Sequence, residues 1–182
     1  MPRNTNRRRL WQRALDHYGY VTTEDARQVG VPPVELRKIA KRGGMAHVGH
    51  GVYRFDDVPR TPEDPYMEAV LQVGPGAFLT QDAVLALHHL ALVAPKRMRV
   101  GANRRVRTKV PNYVEVVRQD VDAGEITTYE GIPATTIARA LIDSRGLVMN
   151  ERLIEAAEEA LERGLLLQRD FKRVMEKLDV TS

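Results

Sequence analysis

Between residues 6 and 55 the apolar positions recur three times at helical spacing and then change to the alternation of a hairpin. Leu10, Trp11, Ala14, Leu15 and Tyr18 predict a first helix over Asn6 to Tyr18, stopped by Gly19. Tyr20-Val21 reads as a short strand. Thr22-Thr23-Glu24-Asp25 then offers N-cap hydroxyls and first-turn acids for a second helix that carries Ala26 and Val29 and ends at Gly30. A third helix starts at Pro32-Pro33, where a missing N–H costs nothing, and stops at Gly43-Gly44. At about 100° per residue, its Leu36, Ile39 and Ala40 gather on one side while Arg37, Lys38, Lys41 and Arg42 fan over the other. Met45 to Val48 and Val52 to Phe55 are strands joined by Gly49-His50-Gly51. Helix, turn, helix and hairpin in this order predict a winged helix-turn-helix over residues 1–58.

Asp56 to Pro65 has three prolines, four acids and no apolar period, which predicts a linker, residues 59–65, between two domains. From residue 66 the pattern mixes helix and strand. Tyr66, Ala69, Val70 and Val73 mark a short helix closed by Gly74-Pro75-Gly76; an apolar run, Ala77 to Leu79, follows. Thr80 is placed to cap a helix buried through Ala83, Val84, Leu87, Leu90 and Ala91. Met98 to Val100, Val110 to Val117 and Glu125 to Tyr129 read as strands, and Ile132-Pro133 as an extended segment. Thr135-Thr136 caps a helix from Ile137 to Arg145, followed by helices over Asn150 to Arg163 and Arg169 to Leu178, with Gly146 and Gly164 as stops. The fold class expected is α+β: a winged helix domain, then an α+β domain over residues 66–182 with a small sheet and flanking helices.

Composition changes this picture in one respect, the placement of charge. The net charge is +4, but residues 1 to 60 hold 12 Lys/Arg against 6 Asp/Glu while the remainder is slightly acidic. A basic N-terminal third fits a polyanion, since clustered cations release the counterions condensed on a phosphate backbone. The residues expected to face DNA are Arg7, Arg8 and Arg9 as a basic arm, Thr23 at the start of the second helix, Val34, Arg37, Lys38, Lys41 and Arg42 on the third, and His50 and Arg54 on the wing. A second basic surface lies between the first two strands of the second domain, where Lys96, Arg97, Arg99, Arg104, Arg105, Arg107 and Lys109 occur with no acid. A solvated hairpin, a further nucleic-acid contact and a docking patch for an acidic partner all fit that run. No stretch reaches the about 18 apolar residues of a membrane span, no secretory segment is evident, and a cytoplasmic location is expected.

Catalytic and metal chemistry leave no constellation. The chain has no cysteine, which excludes disulfides and thiol catalysis. Its serines are Ser144 and Ser182, neither in a Gly-x-Ser-x-Gly elbow, and no phosphate-binding glycine loop occurs. His88 and His89 diverge by about 100° on a helix, and His47 and His50 straddle the wing turn, so no metal ligand set is expected. The acids of residues 151–162 belong to a helix, and Glu115 is followed by Val116-Val117 instead of the lysine a nuclease strand would carry. No cofactor is called for.

The Gly-Val-Pro-Pro helix start with the HVGHGVYRF wing resembles the AbiEi-type abortive-infection antitoxins and transcriptional regulators of bacteria. So do FLTQDAVLALHHL and EITTYEGIPATTIARALID in the second domain, and the resemblance runs from about Arg9 to about Arg163, its most specific piece being Gly131 to Asp143. It implies a type IV toxin–antitoxin role. Such an antitoxin represses its own operon by binding operator DNA, usually inverted repeats, through the N-terminal domain. Its C-terminal domain counteracts a nucleotidyltransferase-like toxin, often without a stable complex. A stand-alone transcriptional regulator and a winged-helix-fused nuclease are the alternatives.

Overall fold

Three helices and three strands form the first part of the chain: α1 (Pro2–Leu15), β1 (Tyr20–Thr22), α2 (Thr23–Gln28), α3 (Pro33–Lys41), β2 (Met45–Gly49) and β3 (Val52–Phe55). The strands pair antiparallel in the order β1-β3-β2, which completes the winged helix. The structure, a computed structural model, describes residues 2–179. It divides into two units, one of residues 1–75 with 107–111, the other of 76–106 with 112–182.

The core of the winged helix holds Leu10 and Ala14 of α1, Ala26, Leu36 and Ile39 of α2 and α3, and Val21, Met45, Tyr53 and Phe55 of the sheet, while Trp11 and Leu15, on the same helical spacing of α1, are exposed. Thr22, not Thr23, is the N-cap of α2. Its hydroxyl accepts from the Asp25 N–H at 3.0 Å, and the Asp25 carboxylate accepts from the Thr22 N–H at 2.9 Å, a reciprocal capping box. Arg13 of α1 donates to the same carboxylate at 2.9 Å, with the His17 imidazole 3.7 Å away, so one buried acid ties α1 to the start of α2. Burial opposes ionisation of Asp25, but these hydrogen bonds outweigh it and hold the carboxyl well below its ordinary range.

The sheet is covered on both sides, and this revises the sequence reading. Helix α4 (Asp64–Val73) belongs to the first unit, so that unit extends past the boundary expected at residue 58. Three polar side chains at successive i, i+4 spacings along α4 each reach a different strand. Asp64 binds Arg54 of β3 at 2.8 Å, Glu68 accepts from the Tyr20 hydroxyl of β1 at 2.6 Å, and Gln72 donates to the Val48 carbonyl of β2 at 2.9 Å. Burial and the Glu68 carboxylate raise the Tyr20 phenol, which stays protonated as the donor. Arg54 is 3% exposed and Asp64 1%. Arg54 is therefore not a DNA-facing residue: its guanidinium lies over the Tyr20 ring and donates also to the Phe55, Val58 and Pro59 carbonyls. The proline-rich stretch before α4 is drawn into the same cluster, with the Thr61 N–H donating to Asp64 at 3.1 Å. Gly49 allows the close approach of α4, since a Cβ there would fall 1.9 Å from the Gln72 amide.

The second unit is built on a five-stranded mixed sheet in the order β6-β5-β4-β8-β7, from β4 (Phe78–Leu79), β5 (Met98–Ala102), β6 (Val114–Arg118), β7 (Ile126–Tyr129) and β8 (Ile132–Thr135). The apolar run at 77–79 and the extended Ile132-Pro133 segment are thus strands, and they form the middle of the sheet. Beside β4, Gly101 of β5 leaves room for the Phe78 ring, 2.3 Å from where a Cβ would stand. Strands β5 and β6 pair in parallel, so the basic run between them is a crossover and not a hairpin. Strand β6 begins at Val114 instead of Val110. Helix α5 (Asp82–Leu87) is shorter than expected and starts after Gln81, because the Thr80 hydroxyl donates to Gln119 at 2.8 Å instead of capping the helix. Helices α6 (Ile137–Asp143), α7 (Asn150–Glu162) and α8 (Gln168–Asp179) follow, with Thr136 as the cap of α6. Arg139 of α6 binds Glu125 and Asp143, each at 2.7 Å, and Gln119 donates to Asp143. This network fastens α6 to the segment after β6.

Two consequences are measurable. Asp64→Ala leaves the Arg54 guanidinium buried without its counterion and is expected to cost the first unit about 3–5 kcal/mol in urea unfolding, whereas Arg54→Met with Asp64→Leu recovers most of the loss. For Asp25 the folded-state value lies below the ordinary 3.8. The stability it contributes is therefore complete above that value and is lost as pH falls from there towards the depressed one. The difference in unfolding free energy between wild type and Asp25→Asn is expected to be flat near neutrality and to shrink below about pH 4.

Candidate nucleic-acid interface

Helix α3 is held down by one side and exposes the other. Pro33 at its first position presets the turn, Leu36 and Ile39 enter the core, and Val34, Arg37, Lys38, Lys41 and Arg42 remain exposed. Lys38 pairs with Glu35 of the same helix at 3.0 Å, an exposed contact that water largely screens. Arg37, Lys41 and Arg42 make no ion pair among the described residues. The outward face of α3 therefore carries uncompensated positive charge, as the sequence predicts.

The remaining DNA-facing candidates separate by burial and partner. His50 is exposed at the wing turn, whose second residue, Gly51, has φ +68°. The turn is fastened to α2, because the Thr23 N–H donates to the Gly51 carbonyl at 2.9 Å; Thr23 itself is half-buried. Arg8 and Arg9 are exposed on α1. Arg7 is not part of a free arm: residues 7–9 are helical, and its guanidinium lies 5.1 Å from the Phe55 ring centre and donates to the Gly43 carbonyl at 3.4 Å. It braces the exit of α3, where a Cβ on Gly44 would meet it at 2.7 Å. With Arg54 buried against Asp64, Arg7 and Arg54 both serve the fold.

The second basic run also divides. Arg99 is not a surface cation, since it binds Asp82 at 2.6 Å and Glu115 at 3.5 Å and is largely buried. Arg97, Arg104 and Arg105 are exposed in the second unit. There, a cleft of about 520 Å³ is lined by Leu92, Lys96, Arg97, Leu147, Met149 and Arg152, with the Asp82–Arg99 pair among its walls. Leu92 is 91% exposed, on a turn where His89, Ala91 and Leu92 all have positive φ. Arg107 and Lys109 belong instead to the first unit, where with Thr108 and His50 they line an open hollow of about 360 Å³.

Among the described residues no three His, Cys, Asp or Glu side chains converge as metal ligands. His88 is buried edge-on to Tyr129, and burial, with Arg163 and His89 nearby, pushes its pKa down to about 4. No described helix is long and apolar enough to cross a membrane. The residue the sequence reading missed is Asp64; the one available signal was a lone arginine inside the alternation of β3 with an acid-rich stretch directly after it.

Residues 8–55 match the model of a family described as "Transcriptional regulator, AbiEi antitoxin". The matched segment runs from α1 to the end of β3 and includes none of the second unit. No curated protein matches the chain in sequence. Among solved structures, the chain is similar to the crystal structure of the RV2827C protein from Mycobacterium tuberculosis, with a TM-score of 0.48 and 15% identity over 94% of this chain and 71% of that one. The similarity to the AbiEi antitoxin and transcriptional-regulator family is thus carried by the winged helix, residues 8–55.

Proposed function

We propose that the protein is the antitoxin of a type IV toxin–antitoxin system. On this reading it binds operator duplex through the winged helix, represses its own operon, and counteracts a nucleotidyltransferase-like toxin through the second unit. The observation that carries the DNA-binding part is the outward face of α3, where Val34, Arg37, Lys41 and Arg42 stand exposed above a fully packed core, within the segment matched to the family. A helix of this kind lies in the major groove, with its arginines and lysines reaching guanine edges and phosphates. Arg8 and Arg9 extend the positive surface, and Lys38 and His50 are exposed beside it. Inverted-repeat operators would take two copies of the chain, one per half-site.

Toxin control is assigned to the second unit on two grounds. The resemblance of Gly131 to Asp143 to the antitoxin family covers β8 and α6 of that unit. The exposed Leu92, Leu147 and Met149 beside Lys96, Arg97 and Arg152 form a surface suited to a partner with apolar and acidic groups. The chain performs no chemistry of its own on this reading and needs no cofactor. A stand-alone regulator is the second reading, favoured by the fact that the family match ends at Phe55. A nucleotidyltransferase-like reading frame next to this one favours the antitoxin; its absence favours the regulator.

Arg37→Glu with Lys41→Glu is expected to abolish retention of the duplex upstream of the protein's own reading frame while leaving the melting temperature unchanged. Unchanged retention would overturn the assignment of α3. Changing Arg97, Arg104 and Arg105 together to Ala is expected to lose rescue of cells from the toxin and to keep operator binding, and equal rescue by the triple variant would remove these residues from toxin control.

A further inference from the structure

The acid-free run between β5 and β6 reads in sequence as a single basic loop, yet its last cations belong with the wing. Arg107, Thr108 and Lys109 meet His50 around one open hollow of about 360 Å³, all of it within the first unit. All four side chains are exposed, and no carboxylate lines the hollow. Neither Arg107 nor Lys109 makes an ion pair among the described residues. The chain elsewhere supplies its convergent arginines with acids: Arg13 has Asp25, Arg54 has Asp64, Arg99 has Asp82 and Arg139 has Asp143. Here two permanent cations converge without one.

The chemistry of the four groups is that of an oxyanion seat. A guanidinium and an ammonium supply charged N–H donors, a hydroxyl supplies another, and the imidazole of His50 adds a ring N–H. The hollow adjoins the turn between β2 and β3, and β2 follows directly on the exit of α3, whose outward face is also cationic without ion pairs at Arg37, Lys41 and Arg42. We infer that His50, Arg107, Thr108 and Lys109 form a seat for a backbone phosphate of duplex DNA, so that the DNA-binding surface of this protein is discontinuous in sequence and includes residues 107–109. This rests on the DNA-binding reading of the winged helix and adds to it a contact that residues 8–55 alone cannot make. Such a contact positions the duplex without reading bases, so it strengthens binding to any sequence alike.

The test uses the full-length chain, a random-sequence duplex and the duplex upstream of its own reading frame, with anisotropy measured over a sodium chloride series. Removing two phosphate contacts by Arg107→Ala with Lys109→Ala is expected to make the slope of log K against log salt shallower by about 0.9 for each cation lost, equally on both duplexes. Arg107→Lys, which keeps the charge, is expected to keep the slope. A double-alanine slope equal to wild type, with an unchanged melting temperature, overturns the inference. If the double-alanine protein melts early, Arg107→Gln and Lys109→Gln are read singly, each against the same expected change of about 0.9. Inorganic phosphate that competes more strongly than its ionic strength explains would also overturn it, by assigning the seat to a free anion. Failure of the underlying reading is separate: there Arg37→Glu with Lys41→Glu leaves duplex binding intact, whatever the hollow does.

Discussion

The buried ion pair between Arg54 and Asp64 is the constraint on which the arrangement of the first unit depends. A guanidinium and a carboxylate taken out of water lose several kcal/mol of hydration each, and only a close, multiply bonded geometry offsets that loss. Arg54 meets the condition with Asp64 and three backbone carbonyls. What the pair sets above all is placement. With Asp64 fixed over β3, the helical repeat brings Glu68 to Tyr20 on β1 and Gln72 to Val48 on β2, so each strand of the sheet receives one contact from α4. All four residues of β3 are buried as a result.

This second layer decides what the winged helix can offer a ligand. With one side of the sheet closed by α4 and the other by the helical core, the surfaces left for recognition are the outward face of α3 and the wing turn. Both are braced from elsewhere in the same unit. Arg7 and Gly44 fit together at the exit of α3, and the Gly51 carbonyl is held by the Thr23 N–H. Rigid support of this kind holds a short helix and its outward side chains in one orientation.

How much of this was legible in the sequence depends on the range of the interaction. The winged helix core was legible because Leu10, Ala14, Leu36 and Ile39 follow a local period, and the outward cations of α3 follow from the same period. Arg54 was misread for the same reason: strand alternation sends position 54 away from the helical core, and nothing local says that a later helix returns to cover that side. Arg99 was misread likewise, since its carboxylate partner Asp82 lies 17 residues earlier in the chain, on α5. The parallel pairing of β5 and β6 was hidden because two strands separated by a short polar run have the local pattern of a hairpin. Strands β4 and β8, short and central, gave only apolar or extended fragments too brief to register as a period.

A count of charge could not separate a basic fold from a basic surface, but the pairing of each cation does. In the first unit Asp25 is matched to Arg13, Glu24 to Arg27, Glu35 to Lys38 and Asp64 to Arg54. Each such match cancels field beyond a few ångströms, and the cations so matched contribute little to attraction at a distance. The exposed acids Asp56 and Asp57 subtract from the field that reaches solvent, and its positive part comes from the unmatched cations, Arg8 and Arg9 on α1, Arg37, Lys41 and Arg42 around α3, and Arg107 with Lys109 at the hollow beside His50. These residues come from α1, α3 and the β5–β6 crossover, and no stretch of sequence contains them together. The electrostatic surface of this protein is therefore a property of its fold, assembled from what the internal ion pairs leave over.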